Sequence, residues 1–180
     1  MADIAGNAPA HIKELFAHPL LMLGMMDIDA GSASARGFGK DVMPLLSITE
    51  ASMSESAEAP SKKDARVICK LVVTDDMLNG AQTLHGGCSA YLVDACSTLA
   101  IILHAYVSDG RIRAGVSQSL TITYHSPALP GDELKIVNTT LSMGASTMVA
   151  RTEIWNATRK RLVVTGVHIK MDPKQPKAKM

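Results

Sequence analysis

The chain has 180 residues, 47% of them hydrophobic and 19% charged, with 18 Lys+Arg against 17 Asp+Glu. That is the balance of one soluble globular domain with a real core, and it is short for two domains. A net charge of +1, the lack of a basic stripe and 3% aromatic residues argue against nucleic-acid binding, which needs cationic surface and stacking rings.

The first residues, MADIAGNAPAHIKELF, have neither a basic n-region nor a long apolar run. Asp3, Glu14 and the absence of Arg before Arg36 also disfavour a presequence. Residues 10–28 suggest a helix interrupted near Pro19. GSASARGFGK (31–40) reads as a loop, so residues 1–40 form a helical and loop extension. PLLSITEASM (44–53) is a first strand, and ESAEAPSKKDA (55–65) is a polar connection. In RVICKLVVTDD the alternation places Val67, Cys69, Leu71 and Val73 on one face of a second strand.

From about Gly87 to Tyr106 runs the only long helix, nearly apolar all round. Its length approaches a membrane span. Ser89, Asp94, Ser97, Thr98 and His104 make it a poor lipid partner, since Asp alone costs about 3 kcal/mol on insertion scales. A helix buried on all sides by protein is the better reading.

Strand-rich segments follow. GVSQSLTITYHSPA (115–128) sets Val116, Leu120, Ile122 and Tyr124 on one face and Ser117, Ser119, Thr121 and Thr123 on the other. DELKIVNTTLSM follows a Pro130-Gly131 turn, and STMVARTEIWN leads through a turn near Ala157-Thr158 into RLVVTGVHIKM. The expected fold is α+β, a curved antiparallel sheet wrapped around one long central helix, over residues 41–172. A disordered Lys-rich tail is expected at 173–180.

Three cysteines, Cys69, Cys88 and Cys96, have no CxxC spacing and cannot pair completely, which fits a reducing, cytoplasmic compartment. The ending Ala178-Lys179-Met180 is a loose variant of the peroxisomal Ser-Lys-Leu address, so a peroxisomal location is the alternative. Cys88 is read as a small buried residue for want of a partner base, although a nucleophile near a helix start is the competing reading. The histidines show no HxxxH spacing, so no metal is expected. His125 and His168 fall on strands and read as structural or surface groups.

The chemistry gathers in NGAQTLHGGCSAYLVDACST (79–98). His85-Gly86-Gly87 stands where the chain enters the helix, and helix N-termini offer unpaired N–H groups with partial positive charge. Glycine there admits close approach, which suits an acyl oxygen that turns negative when attacked. The plainer reading is that the glycines only permit a tight turn. Asp94 could activate water as general base or attack as nucleophile, unless it is a buried acid satisfied by Ser97, Thr98 or a backbone N–H. Gly86 and Asp94 lie eight positions apart, so about 12 Å along the helix and roughly 80° around it. One chain cannot apply both to one substrate; a dimer with two equivalent interface sites could.

Asn79, the run Thr83-Leu84-His85-Gly86-Gly87, Leu92-Val93-Asp94, Gly115-Val116-Ser117, and Ile122-Thr123-Tyr124-X-Ser126-Pro127-Ala128 resemble the hotdog-fold thioesterases. The resemblance is to their PaaI-like acyl-CoA thioesterase branch, and it covers about residues 40 to 172. It implies hydrolysis of acyl-CoA by a homodimer that pairs into a tetramer, with coenzyme A as part of the substrate and no bound cofactor. It implies that the Gly86 N–H polarises the thioester carbonyl, His85 supports that end, and Asn79 positions substrate or water. Asp94 of the facing subunit would activate water and Ser117 would orient it. Coenzyme A contacts would fall on Tyr124, His125, Ser126, Pro127, Ala128 and Leu129, and on the turn Ser142, Met143, Gly144, Ala145, Ser146 and Thr147.

That turn departs from the family pattern, whose animal members carry basic residues around this glycine. Phosphate would then need backbone N–H groups or the more distant Lys135, Arg151 or Lys170. The 1–40 extension and the 55–65 connection have no counterpart in the resemblance, and either lid the acyl tunnel or decorate the surface. Two other functions compete. A hydratase on this fold would resemble a D-x4-H pattern, but Leu99 stands five positions after Asp94. A non-catalytic acyl-CoA binding module would keep the pocket, and the intact Asn79, Gly86, Asp94 and Ser117 speak against it.

Overall fold

Regular hydrophobic alternation becomes strand where the sequence led one to expect it. The computed structural model describes residues 4–26, 35–55, 59 and 62–172. The ending Ala178-Lys179-Met180 and the rest of 173–180 lie outside the described residues, as do 1–3 and 27–34 of the extension and 56–58, 60 and 61 of the polar connection. Strand β1 spans Ser47–Glu55, β2 Lys63–Val72, β3 Val116–Tyr124, β4 Glu133–Met143, β5 Thr147–Asn156 and β6 Arg161–Met171. They form one antiparallel sheet in the order β1-β2-β4-β5-β6-β3. The first strand starts later than its expected position at Pro44. Met43–Leu45 is a 3-10 turn, as Pro44 fixes its own φ and donates no ladder hydrogen bond.

The long helix, α3, spans Gly86–Asp109 and lies on the concave side of the sheet. It is long and apolar enough to cross a membrane, yet 67% of that stretch is buried inside the protein. Leu92, Val93, Leu99, Ile102 and Leu103 have no exposure, and they meet Val67, Cys69 and Leu71 of β2 and Leu134 and Ile136 of β4 in one core. Over β6 the helix packs tightly at Gly166, where a Cβ would stand 2.6 Å from Val93 Cγ1. This close approach brings the neighbours of Val93 down onto β6.

The extension begins with α1 (Ala10–Phe16) and α2 (Pro19–Met22), split by Pro19 as expected. Ile4, Ala8, Ile12, Phe16 and Met22 are buried in the same core as α3. The segment also occupies the outer edge of β1. Ala5 N–H donates to the Thr49 carbonyl (2.9 Å), Ala51 N–H to Ala5 (3.0 Å) and Ala8 N–H to Ala51 (3.1 Å). One edge of the sheet is therefore covered. The other, β3, pairs only with β6 and is exposed over most of its length.

Strand β3 also carries a β-bulge. The register runs Ser117↔Lys170 and then Ser119↔Ile169, so Gln118 is an extra residue. This corrects the face assignment made from simple alternation. Ser117 lies on the helix side together with Leu120, Ile122 and Tyr124, while Val116 turns outward and is 49% exposed. An uninterrupted strand would have sent Ser117 the other way, because side chains alternate with period two.

Candidate active site

At the N-terminal end of α3, the first turn is tied to two other segments. Leu84 N–H donates to the Ala128 carbonyl (2.9 Å) and His85 N–H to Met77 (2.8 Å). His85 is the N-cap, and its Nδ1 accepts from the Gly87 N–H at 2.8 Å. A Cβ on Gly87 would lie 3.0 Å from that nitrogen, so this glycine serves the cap. Gly86 differs: its φ is not positive, and a Cβ there would meet only the Tyr124 ring at an ordinary 3.4 Å. Nothing among the described residues requires glycine at 86. Among the described residues, its N–H has no partner, while its carbonyl accepts from Tyr124 Oη at 3.0 Å.

Asn79 builds the loop that leads here. Its Oδ1 accepts from the N–H groups of Ala81 (2.9 Å) and Thr83 (3.2 Å), and its Nδ2 donates to Thr83 Oγ1 (3.0 Å). Cys88 is half-buried, and burial pushes its thiol up from the ordinary value, which disfavours the thiolate a nucleophile needs.

Two turns further along, Asp94 turns its side chain, 41% exposed, toward β3 and β6. Ser117 Oγ donates to Asp94 Oδ1 at 2.8 Å. His168 Nε2 lies 2.9 Å from Ser117 Oγ and 3.2 Å from Asp94 Oδ1, and its Nδ1 lies 2.7 Å from Ser97 Oγ. Asp94 Oδ2 takes no hydrogen bond among the described residues. Ser97 and Thr98 do not satisfy the carboxylate; their hydroxyls face the Asp94 main-chain carbonyl (3.1 and 2.8 Å), as residues one turn on in a helix do, and the Ser97 hydroxyl has His168 Nδ1 as a second, nearer partner.

His168 is the residue whose place the sequence did not convey. It is fully buried, and its imidazole is pushed down to about 4 by burial and by the Lys170 charge, with Asp94 opposing. Lys170, by sequence a candidate cation for phosphate, is also buried. Its Nζ donates to Thr98 Oγ1 at 2.9 Å, and burial lowers its pKa while Asp94 raises it. On β6 both point inward in alternation with outward Val167 and Ile169, which is the only signal the sequence offered.

Tyr124, Ser126 and Ala128 sit beside the start of α3. Ser126 Oγ donates to the Leu162 carbonyl, His125 Nε2 meets Thr165 Oγ1 at 2.9 Å, the Pro127 carbonyl accepts from Arg161 Nη2 at 2.8 Å, and Leu129 N–H donates to Asp132 Oδ2 at 2.8 Å. The turn Ser142–Thr147 lies at the opposite end, beside Asp109 and Arg111, with Arg113 Nη2 bonded to the Gly144 and Ala145 carbonyls. The chain thus joins Asp94 to Ser117 and Gly86 to Tyr124, but holds the two segments expected to contact coenzyme A about 30 Å apart along α3. Arg151 pairs with Glu153 at 2.7 Å and, like Lys135, lies on the face of the sheet away from the helix. The extension reaches α3 near the acid: Tyr91, three residues before Asp94, donates to the Phe38 carbonyl at 2.9 Å. No group of three His, Cys, Asp or Glu among the described residues could hold a metal ion.

A curved antiparallel sheet around one long helix, with an acid on that helix and a free N–H at its start, defines the hotdog class of thioesterase. A family model described as the thioesterase superfamily matches residues 81–163. Acyl-coenzyme A thioesterase 13 of Mus musculus is 34% identical over 116 residues, which are 64% of this chain and 79% of that protein. The crystal structure of zebrafish thioesterase superfamily member 2 superposes with a TM-score of 0.66 at 26% identity, covering 90% of this chain and 96% of that one. The Escherichia coli PaaI protein of the phenylacetic acid degradation operon superposes with a TM-score of 0.51 at 25% identity, over 60% and 72% of the two chains. The chain belongs to the thioesterase superfamily, in its PaaI-like branch, and is a thioester hydrolase.

Proposed function

We propose that the protein hydrolyses acyl-CoA to the free acid and coenzyme A, at sites built from two copies of the chain. The mouse relative's name supports the thiol carrier. The observation that carries the mechanism is the state of two groups: among the described residues the Gly86 N–H has no partner at the helix start, and Asp94 has one oxygen bound by Ser117 and the other open.

The chemistry follows from these groups. The Gly86 N–H, backed by the helix dipole, donates to the thioester carbonyl oxygen and stabilises the negative charge that forms there. Asp94 Oδ2 takes a proton from a water molecule as the water oxygen bonds to the carbonyl carbon. The tetrahedral intermediate then collapses, the C–S bond breaks, and the sulfur leaves with a proton returned from the Asp94 carboxyl. His85 acts by capping the turn that presents Gly86, and Asn79 by shaping the loop before it.

Both groups belong to one straight helix and stand about 12 Å apart along it, so a second copy must provide one of them. The open β3 edge supports this, as an exposed strand edge is a template for pairing with another chain. Antiparallel association there would also bring one copy's Ser142–Thr147 turn nearer the other's Tyr124–Leu129 segment, and association of two dimers is the further expectation. The test is thiol release over a panel of acyl-CoAs with Asp94→Asn as control. Turnover should fall by about 10² or more with the fold intact; a variant as fast as the wild type would remove the mechanism.

A further inference from the structure

We propose that His168 is a positioning residue for the hydrolytic centre: held by Ser97 as the Nε2–H form, its imidazole directs the Ser117 hydroxyl proton onto Asp94 Oδ1 and so reserves Oδ2 for water. The inference rests on the assignment of Asp94 and Ser117 to the reaction.

Hydrogen-bond counting carries it. The Ser117 hydroxyl has one proton and two neighbours that could take it, Asp94 Oδ1 at 2.8 Å and His168 Nε2 at 2.9 Å. If Nε2 were the bare nitrogen, Ser117 would be free to donate to it. Asp94 Oδ1 would then face a hydroxyl lone pair and, at 3.2 Å, a nitrogen lone pair, with no proton between them. With the proton on Nε2, every group is matched. Ser97 gives its one proton to Nδ1 (2.7 Å) in preference to the Asp94 main-chain carbonyl (3.1 Å), which keeps Thr98 O–H as a donor (2.8 Å); Nε2–H donates to Ser117 Oγ, and Ser117 O–H donates to Asp94. The negative carboxylate at one end selects this direction for the whole chain.

The doubly protonated imidazolium is disfavoured by the surroundings. The ring is fully buried. Lys170 on the same strand opposes a second positive charge, and Asp94 on α3 favours one. Its cross-strand neighbours, Ala150 on β5 and Leu120 on β3, carry no charge. Burial and Lys170 prevail, and the ring stays neutral. A neutral donor holds Ser117 in place without adding a formal charge to the centre. His168 has no exposure, so it acts through Ser117 and Asp94 and not on substrate.

The test compares His168→Gln with His168→Asn, each made in the wild type and in Ser117→Ala. The Gln amide reaches the position of Nε2, whereas the Asn amide reaches only that of Nδ1. His168→Gln should keep kcat within about threefold, while His168→Asn should lower it about tenfold or more with KM nearly unchanged. In the Ser117→Ala background, His168→Asn should cost little further, because the two residues act as one unit. Equal loss in the Gln and Asn variants, or an undiminished Asn effect without Ser117, would overturn the proposal. Should the Asn variant not fold, the imidazole 15N shifts of the wild-type protein decide: a neutral Nε2–H ring at pH 7 is expected, and an Nδ1–H ring or an imidazolium overturns it. Asp94→Asn separates the two readings. Wild-type turnover there would remove the reaction assignment, whereas an inactive Asp94→Asn beside an unimpaired His168→Asn would remove only the role of His168.

Discussion

Ser117 reaches Asp94 at 2.8 Å because β3 carries one more residue than β6 between them, Gln118. The bulge reverses the direction of the serine without disturbing Leu120 and Ile122, which still pack on the core. Deleting Gln118 should restore regular pairing and turn Ser117 away. Turnover should then fall to that of Ser117→Ala or below, about tenfold under the wild type, while circular dichroism shows the sheet retained. Undiminished turnover in the deletion would mean that the bulge does not position the serine.

The two glycines at the start of α3 should respond differently to alanine. At 86 the added methyl finds ordinary contact with Tyr124, so stability should change by less than about 1 kcal/mol. It would nonetheless stand beside the free N–H, and thiol release should drop at least about tenfold. At 87 the methyl presses on His85 Nδ1 at 3.0 Å, and the melting temperature should fall as the cap is lost. A Gly86→Ala variant that hydrolyses at the wild-type rate would show that no close approach occurs at this backbone.

If, as proposed, each site is shared between two copies, inactive variants should be complementary. Asp94→Asn and Gly86→Val homodimers should each be nearly inactive. After unfolding and refolding together, a statistical mixture should regain roughly a quarter of wild-type activity, since half the dimers are mixed and each has one intact site. No recovery from a mixture shown to contain heterodimers would place both groups in one protomer.

Phe16 binds the extension to the body of the protein: it is 1% exposed and shares the core with α3. Phe16→Ala should destabilise the protein by about 3–5 kcal/mol in urea unfolding. A loss below about 1 kcal/mol would mark the extension as an appendage.

Acid should weaken the fold through His168. The imidazole is pushed from 6.5 to about 4 in the folded chain, first by burial and then by Lys170. Between those values the unfolded chain binds the proton and the folded chain does not, so stability falls as the pH drops. The contribution is complete above pH 6.5 and is lost progressively down to about 4. Urea midpoints should therefore fall from about pH 7 to about pH 4, and less steeply in His168→Gln. An equal slope in both proteins would assign the acid sensitivity to other groups.

Much of this was legible in the chain itself. Val67, Cys69, Leu71 and Val73 alternated and proved to be the inner face of β2 and its continuation. The apolar run after His85-Gly86-Gly87 proved to be the central helix, and Pro19 divided the helices before it. Such features depend on neighbours within a few residues, where backbone geometry fixes the spacing. The family resemblance was legible for the same reason, as its motifs are short and contiguous.

The surroundings of Asp94 were not legible in that way. Ser117, His168 and Lys170 come from strands 23, 74 and 76 residues further on, by their numbers. One extra residue in β3 decides whether the serine faces the acid at all. The identity of the acid and of the glycine before the helix is thus a property of the sequence. The resemblance already pointed to Ser117; that its hydroxyl meets Asp94, and that the His168 imidazole joins the two, is visible only in the tertiary structure, because register and the close packing of Val93 on Gly166 bring them together.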